Sequence, residues 1–479
     1  MFLLQRKAKW GMMPDMWQRF REKYIGDRAF YHLVLTIALP VMIQNGITNF
    51  VNMLDNLMVG GMGTEQMSGV AICNQLIFVF NLCVFGGLSG AGIYGAQFSG
   101  KRDLEGVRSV FRFKLWMVAL LSILGVATLH FFDEPLLSLF LHQGSEQGDL
   151  ALTLQCAKAY LAVALVGLPV YALSQAYAST LRETASTTLP MGAGIAAMLV
   201  NLVGNWVLIY GRFGAPRLGV VGAAWATVLS RFVELVIICL FTHLNPKDHP
   251  FARGLYRTLK VPGSLAGMIV RKGTPLLLNE TLWSSGQTTL VQIYSTRGLA
   301  VVAGINISNT ISMLFNIVFL SLGSAIGIIV GNLLGAGDME EARRSNTRLT
   351  AFSVLCCIAV GGLLAATSGV YPLLYNTTDE VRRIATRMIL ITSAVMPVNA
   401  YTSSCYFTLR SGGLTRLTML YDCGFSWCVC IPLAFCLCRF TSLSPVAVFA
   451  AVAFTDGIKA LFGHRFVRQE RWLRNIVES

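Results

Sequence analysis

Residues 40–60 read PVMIQNGITNFVNMLDNLMVG, an apolar run in which amides recur and one carboxylate, Asp55, is embedded. With the residues from Tyr31 onward, this run is long enough for a helix that crosses a hydrocarbon layer about 30 Å thick. A charge at membrane depth costs about 3 kcal/mol on insertion scales, so a retained carboxylate indicates a cavity, a partner or an ion path. The stretch therefore predicts a membrane helix that carries a functional group.

Similar apolar windows recur along the whole chain. Its 479 residues are 54% hydrophobic and 13% charged, with a mean hydropathy of +0.60. Such values exceed what the core of a water-soluble domain requires. We predict an all-α membrane protein whose twelve spans cover residues 31–58, 67–98, 113–132, 156–180, 188–210, 220–241, 266–295, 299–334, 349–374, 385–409, 416–438 and 446–466.

The formal net charge of +14 reflects topology and does not indicate nucleic-acid binding. Most of the 38 Lys and Arg residues lie in the N-terminal segment, the even-numbered connections and the C-terminus. The positive-inside rule then places both termini in the cytoplasm of a multi-pass protein of the plasma membrane. Residues 1–28 are basic, contain no signal-peptide pattern and predict a cytoplasmic or interfacial segment. Residues 467–479 predict a cytoplasmic tail.

The chain also contains an internal duplication. A shift of 235 positions superimposes Pro40 on Pro275 and the run from Gly100 to Arg108 on that from Gly335 to Arg343. Further along, a shift of 228 superimposes Leu181-Arg182 on Leu409-Arg410. Two six-helix lobes follow, residues 29–241 and 272–466, joined by a linker at 242–271. Because six is even, the lobes are parallel repeats about an axis along the membrane normal, as in transporters that alternate access.

Polar residues in the first lobe predict a cation site. Four amides of span 1 form a stripe beside Asp55: Asn45, Asn49, Asn52 and Asn56. Asn201 and Asn205, one turn apart in span 5, and Thr227 in span 6 are candidate neighbours. Carboxylate, amide and hydroxyl oxygens suit a hard monovalent cation, and a buried carboxyl also suits a proton. The pattern leaves H+ and Na+ open.

Other membrane-embedded groups carry separate expectations. Arg231 and Glu234, and likewise Asp456 and Lys459, are three residues apart and predict two structural ion pairs. The twelve cysteines and six histidines form no metal-binding or catalytic pattern, so we expect no metal, no cofactor and no enzyme. We interpret the cysteines as small apolar residues.

Three motifs resemble the multidrug and toxic compound extrusion (MATE) transporters. They are Leu54-Asp55-Asn56-Leu57-Met58-Val59-Gly60, the run Gly95–Asp103 with its counterpart Gly331–Asp338, and Gly219–Thr227 opening span 6. The resemblance covers about residues 29–475 and implies a two-lobe exporter that exchanges organic cations for H+ or Na+. It implies that Asp55, Asn201 and Thr227 bind the ion. Asn205 stands where many relatives have a second Asp, and the acidic residue that many relatives have in span 10 is absent.

We therefore expect a multidrug antiporter, monomeric in the bilayer, whose partners are a small-molecule substrate and a monovalent cation. Five residues are candidates for the substrate cleft: Asn52, Glu280, Trp283, Asn309 and Phe315. A flippase for lipid-linked precursors is the nearest alternative, but its anionic cargo would call for basic residues in the cleft. An intramembrane enzyme or an ion channel fits less well, because the chain has neither a catalytic cluster nor a filter-like loop.

Overall fold

The computed structural model describes residues 21–139, 149–375 and 377–478. This part of the chain is almost entirely helical and contains no β-strand. Twelve long helices follow one another: α1 (Arg28–Gly60), α2 (Thr64–Gly100), α3 (Leu104–Phe131), α4 (Leu150–Glu183), α5 (Thr188–Tyr210), α6 (Val220–Leu244), α7 (Gly263–Ser295), α8 (Leu299–Gly335), α9 (Met339–Thr367), α10 (Asp379–Ser411), α11 (Thr415–Phe440) and α12 (Pro445–Arg468). The predicted fold class is confirmed.

Eleven of these helices in the described part of the chain are long and apolar enough to cross a membrane. The exception is α7, a continuous helix of 33 residues that carries Arg271, Lys272 and Glu280. Helix α9 ends at Thr367, earlier than predicted, and a short 3₁₀ turn at Tyr371–Leu374 follows it. The predicted N-terminal segment lies mostly outside the described residues.

The chain divides into two compact units. The first unit is Pro40–Thr281 and the second unit is Met1–Leu39 with Leu282–Ser479. Each repeat thus supplies most of one unit, while α1 and α7 each contribute residues to both. The lobe boundaries drawn from the sequence remain a prediction.

A buried ion pair joins α3 and α4 of the first unit. Lys114 of α3 is fully buried, and its Nζ lies 2.6 Å from Oε1 and 2.7 Å from Oε2 of Glu183, at the end of α4. The hydroxyls of Ser179 and Thr180 accept the remaining hydrogen bonds, at 3.0 and 2.9 Å. Gly92 of α2 leaves the room for the carboxylate, since a β-carbon there would lie 2.8 Å from Glu183 Oε1.

The linker after α6 packs against α3 of the same unit. Three side chains of α3, spaced one turn apart, donate to linker carbonyls that are four residues apart: Arg108 Nε to Phe251 O (3.2 Å), Arg112 Nε to Leu255 O (3.0 Å) and Trp116 Nε1 to Leu259 O (3.0 Å). Phe251 and Leu255 are both 1% exposed. The linker is therefore an ordered part of the first unit.

The tail after α12 is held in a related way in the second unit. Trp472 is 1% exposed, and Asn475 Nδ2 donates to Gly335 O at 3.3 Å. Arg343 Nη2 lies 2.6 Å from Glu470 Oε2. Because Arg343 is the repeat equivalent of Arg108, both arginines hold the segment that follows the last helix of their own repeat.

Replacing Lys114 by Met leaves the Glu183 carboxylate buried without its counter-charge. We expect the variant K114M to lose about 3–5 kcal/mol of unfolding free energy. The double variant K114M/E183Q, which removes both charges, should recover most of that loss. Equilibrium unfolding of the purified protein in mixed detergent micelles measures both, and a K114M variant as stable as the parent would contradict this interpretation.

Candidate cation site in the first unit

The site begins with Asp55, less than two turns from the end of α1. Its Oδ1 accepts a hydrogen bond of 2.5 Å from Nδ2 of Asn205, which lies on α5 and is 1% exposed. Within the described part of the chain, Asp55 forms no ion pair. The carboxylate is thus held by an amide, without a permanent counter-charge.

A chain of hydrogen bonds leads from Asp55 across two further helices. Asn205 Nδ2 also donates to Asn201 Oδ1 at 3.2 Å, and Asn201 Nδ2 donates to Thr227 Oγ1 of α6 at 3.2 Å. The structure therefore brings together the four residues that the sequence proposed for a cation site. Their role as ligands remains a prediction.

One oxygen of these hydrogen-bonded residues has no partner in the described part of the protein. Asn205 Oδ1 is buried and accepts no hydrogen bond from any described residue. A buried polar atom without a partner costs about 1–3 kcal/mol. Because the atom belongs to the amide that binds Asp55, a cation shared between carboxylate and amide oxygens would satisfy it. The donor set of hard oxygens fits H+ or Na+.

Close contact between α5 and α6 aligns these groups. Asn201 and Asn205 are four residues apart and lie on one face of α5. Gly222 of α6 faces the backbone of α5, and a β-carbon there would lie 2.5 Å from Leu208 O. The three alanines of the same turn, Ala223, Ala224 and Ala226, are at most 4% exposed. Small residues thus let Thr227 reach Asn201.

The sequence did not identify two further residues at this site. Tyr160 of α4 is 6% exposed. Its hydroxyl lies close enough to Asp55 and Thr227 to interact with both. It also donates to Asn74 Oδ1 at 3.5 Å. No local pattern could have placed Tyr160 here, because the contact depends on how α4 packs against α2 and α6.

Arg231, one turn beyond Thr227, is the second such residue. Its guanidinium lies 4.7 Å from the centre of the Tyr171 ring, and its Nη1 lies 3.5 Å from Glu234 Oε2. The predicted pair of Arg231 with Glu234 is therefore confirmed. The charge of Arg231 also acts on Asp55, although the two do not form an ion pair.

The candidate substrate residues are divided between the two units. Asn309 lines an open cavity of about 550 Å³ in the second unit, together with five residues of α7: Gln287, Thr288, Val291, Gln292 and Ser295. Trp283 is 43% exposed, and Phe315 packs against an apolar cluster around Ile311. Glu280 belongs to the first unit. The side chain of Asn52 lies outside the described residues.

The predicted ion pair of Asp456 with Lys459 is wrong, because Lys459 pairs with a different carboxylate. Lys459 Nζ lies 2.7 Å from Oδ1 of Asp422 on α11, and Asp456 is absent from the ion pairs of the described residues. Asp422 lies two turns into α11, which brings it level with Lys459. The contact between helices therefore replaces the contact within α12 that the spacing suggested.

Twelve long helices in two repeats, with a buried polar chain in the first, define a membrane transport protein. The family model MatE matches residues 40–207 and 275–436, one block in each repeat. The chain therefore belongs to the MATE family of multidrug transporters, as the sequence motifs indicated.

Individual relatives agree with this assignment. The chain is 24% identical over 452 residues to the probable multidrug resistance protein YoeA of Bacillus subtilis, covering 92% of this chain and 94% of that protein. It is 26% identical over 412 residues to the multidrug resistance protein PmpM of Pseudomonas aeruginosa, covering 86% and 84%.

Two solved structures share the fold. A multidrug resistance MATE family transporter of the MOP superfamily, in an outward-facing conformation, aligns with a TM-score of 0.83 at 19% identity, over 92% of this chain and 95% of that one. A MOP superfamily transporter from Pyrococcus furiosus, described as having a binding pocket of reverse polarity, aligns with a TM-score of 0.80 at 19% identity, over 93% and 96%.

Replacing Thr227 by Val keeps the shape of the side chain and removes the hydroxyl that accepts from Asn201. Losing one hydrogen bond of about 1 kcal/mol should raise the half-saturating concentration of the coupling ion about fivefold. Ion-dependent transport in proteoliposomes measures this. The matched control is T242V on the same helix, because the Thr242 hydroxyl is buried without a partner among the described residues. Equal shifts in both variants would contradict a specific role for Thr227.

Proposed function

We propose that this protein is a secondary active exporter that exchanges small cationic or amphipathic organic compounds for H+ or Na+. The observation that carries the proposal is the Asp55 carboxylate, which is bonded to Asn205 but has no ion pair in the described part of the chain. A permanently paired carboxylate would be structural. An unpaired one at membrane depth is expensive unless a mobile cation visits it.

In the proposed cycle, the ion binds Asp55 from outside and neutralises its charge. The side-chain amides of Asn205 and Asn201 then exchange their hydrogen-bond partners. The packing of α1 against α5 and α6 changes as a result. Cargo and ion favour opposite states of the protein, so the binding of one promotes the release of the other. This differential affinity couples the ion gradient to export.

The energy available for export depends on the net charge that each cycle moves across the membrane. One positive charge that moves inward gains about 2.3 kcal/mol per 100 mV. For a neutral cargo, this supports roughly 50-fold accumulation outside per 100 mV. For a monovalent cationic cargo, exchange with one proton moves no net charge, and only the concentration gradient of the ion drives export.

The surroundings of the embedded basic residues favour cationic or neutral cargo over anionic lipid. Lys114 pairs with Glu183, Arg231 pairs with Glu234, and Arg182 donates to the Gln44 side chain at 3.2 Å. Each is therefore engaged within the first unit. The cavity beside Asn309 is lined by amides, hydroxyls and a valine. A flippase for anionic lipid-linked precursors would need basic groups that are available to the headgroup.

We further propose that the protein acts as a monomer in the plasma membrane, with both termini in the cytoplasm. The distribution of Lys and Arg supports this orientation. An enzymatic role has no support in the site, because an amide-bound carboxylate lacks a paired acid, base or nucleophile.

The decisive substitution is Asp55 to Asn, which preserves size and removes the charge. We expect D55N to abolish export of ethidium driven by an imposed proton or sodium gradient in proteoliposomes. It should insert and fold like the parent, as judged by gel filtration and thermal unfolding. Testing both gradients separately also identifies the ion, and a panel of dyes and anionic lipids separates an exporter from a flippase.

The matched control is D379N, which removes a carboxylate whose side chain is 84% exposed. This variant should export ethidium at the parental rate. Export by D55N at the parental rate would remove the basis for coupling at this site.

A further inference from the structure

A second charged cluster lies between α11 and α12. The ion pair of Lys459 with Asp422 is largely enclosed, with side-chain exposures of 15% and 21%. Asp456, one turn before Lys459 on α12, interacts electrostatically with both members of the pair. It forms no hydrogen bond or ion pair of its own among the described residues. The cluster thus holds two carboxylates and one ammonium group.

The charges in this cluster do not balance. With both carboxylates ionised, the cluster carries one net negative charge halfway along a membrane helix of 24 residues. An uncompensated charge at that depth is costly, and a bound cation or proton would reduce that cost. A metal ion beside Asp456 would be repelled by the Lys459 ammonium. A proton binds the carboxylate directly and leaves the existing pair intact.

The duplication gives an independent reason to regard this cluster as a site. The shift of 228 positions takes Thr227 to Thr455 and Arg231 to Lys459. In the first repeat, Asn201 of α5 bonds Thr227 at 3.2 Å, and in the second, Cys430 Sγ of α11 lies 3.3 Å from Thr455 Oγ1. The cluster therefore lies beside the second-repeat counterparts of Thr227 and Arg231, two residues that surround the Asp55 site in the first repeat.

We propose that Asp456, held beside the Asp422–Lys459 pair, is a second proton-binding site of the transport cycle. The inference rests on the proposed antiport function, with a proton as the ion at Asp55, and adds a second proton to it. In each cycle one proton binds a carboxylate oxygen of Asp456 and later leaves, and no other bond changes. Exchange of two protons for one monovalent cation then moves one net positive charge inward.

The helices that pack around the cluster contribute further titratable groups. Tyr421 and Cys430 of α11 interact electrostatically with it, and beyond them lie Tyr401 and Cys405 of α10, Tyr294 of α7 and His464 of α12. His464 is engaged with the Tyr401 hydroxyl at 2.8 Å. Asp422 itself lies in a π-helical turn, Leu420–Gly424, a departure from the regular α-helix that is frequent at functional sites. A protonation change at Asp456 can thus alter how α11 packs against α12.

The test measures whether export of ethidium, a permanent monovalent cation, responds to membrane potential. Proteoliposomes receive a potential, a pH gradient or a sodium gradient, each imposed alone. We expect the parent to respond to potential alone, with up to about 50-fold accumulation per 100 mV at equilibrium. D456N should lose the response to potential and keep the response to the pH gradient. D456E, which retains the carboxylate, should keep both, and D379N is the control.

The outcomes separate this inference from the proposed function. If D456N responds to potential like the parent, Asp456 binds no transported proton. The same conclusion follows if the parent is driven by a sodium gradient alone, or by a pH gradient without any effect of potential. If none of the three imposed gradients drives ethidium export by the parent, the proposed function fails as well. If D456N does not fold, a D456E variant that folds but has lost the response to potential overturns the inference.

Discussion

The hydrogen bond between Asp55 and Asn205 is the interaction on which the proposed cation site depends. An amide at position 205 donates to the carboxylate and keeps one oxygen, which is buried without a partner among the described residues. A carboxylate in its place would repel Asp55 unless one of the two carried a proton. The amide therefore stabilises a single negative charge and, in the proposed function, offers its second oxygen to the ion.

This arrangement constrains the surrounding helices. Thr227 can accept from Asn201 only if α5 and α6 lie close together, and Gly222 provides that proximity. Arg231 is drawn toward Tyr171 and Glu234, which keeps its guanidinium from forming an ion pair with Asp55. The small residues and the competing partners of Arg231 thus both shape the surroundings of Asp55. They keep the Asp55 carboxylate without an ion pair among the described residues, as the proposed cation site requires.

The helices, the duplication and the four residues of the polar chain could be predicted from the sequence, because hydropathy and spacing are local properties. Asn201 and Asn205 lie on the same face of α5 however that helix packs against its neighbours. Tyr160 could not be predicted, since its approach to Asp55 depends on contacts among several helices. Lys459 shows the same limit. Spacing suggested Asp456 as its partner, but Asp422 of the neighbouring helix lies closer in space.

The two repeats preserve helix positions while their polar contents differ. The Lys114–Glu183 pair of the first repeat corresponds to Leu349 and Ser411 in the second, where Thr408 instead donates to Asn346 at 2.6 Å. Replacing a buried ion pair by apolar and neutral groups is often neutral in stability when both partners change together. Thr227 and Thr455 are retained, whereas the acids beside them come from different helices. The two repeats therefore share their helix positions and the Thr227/Thr455 hydroxyl, while each has its own charged groups.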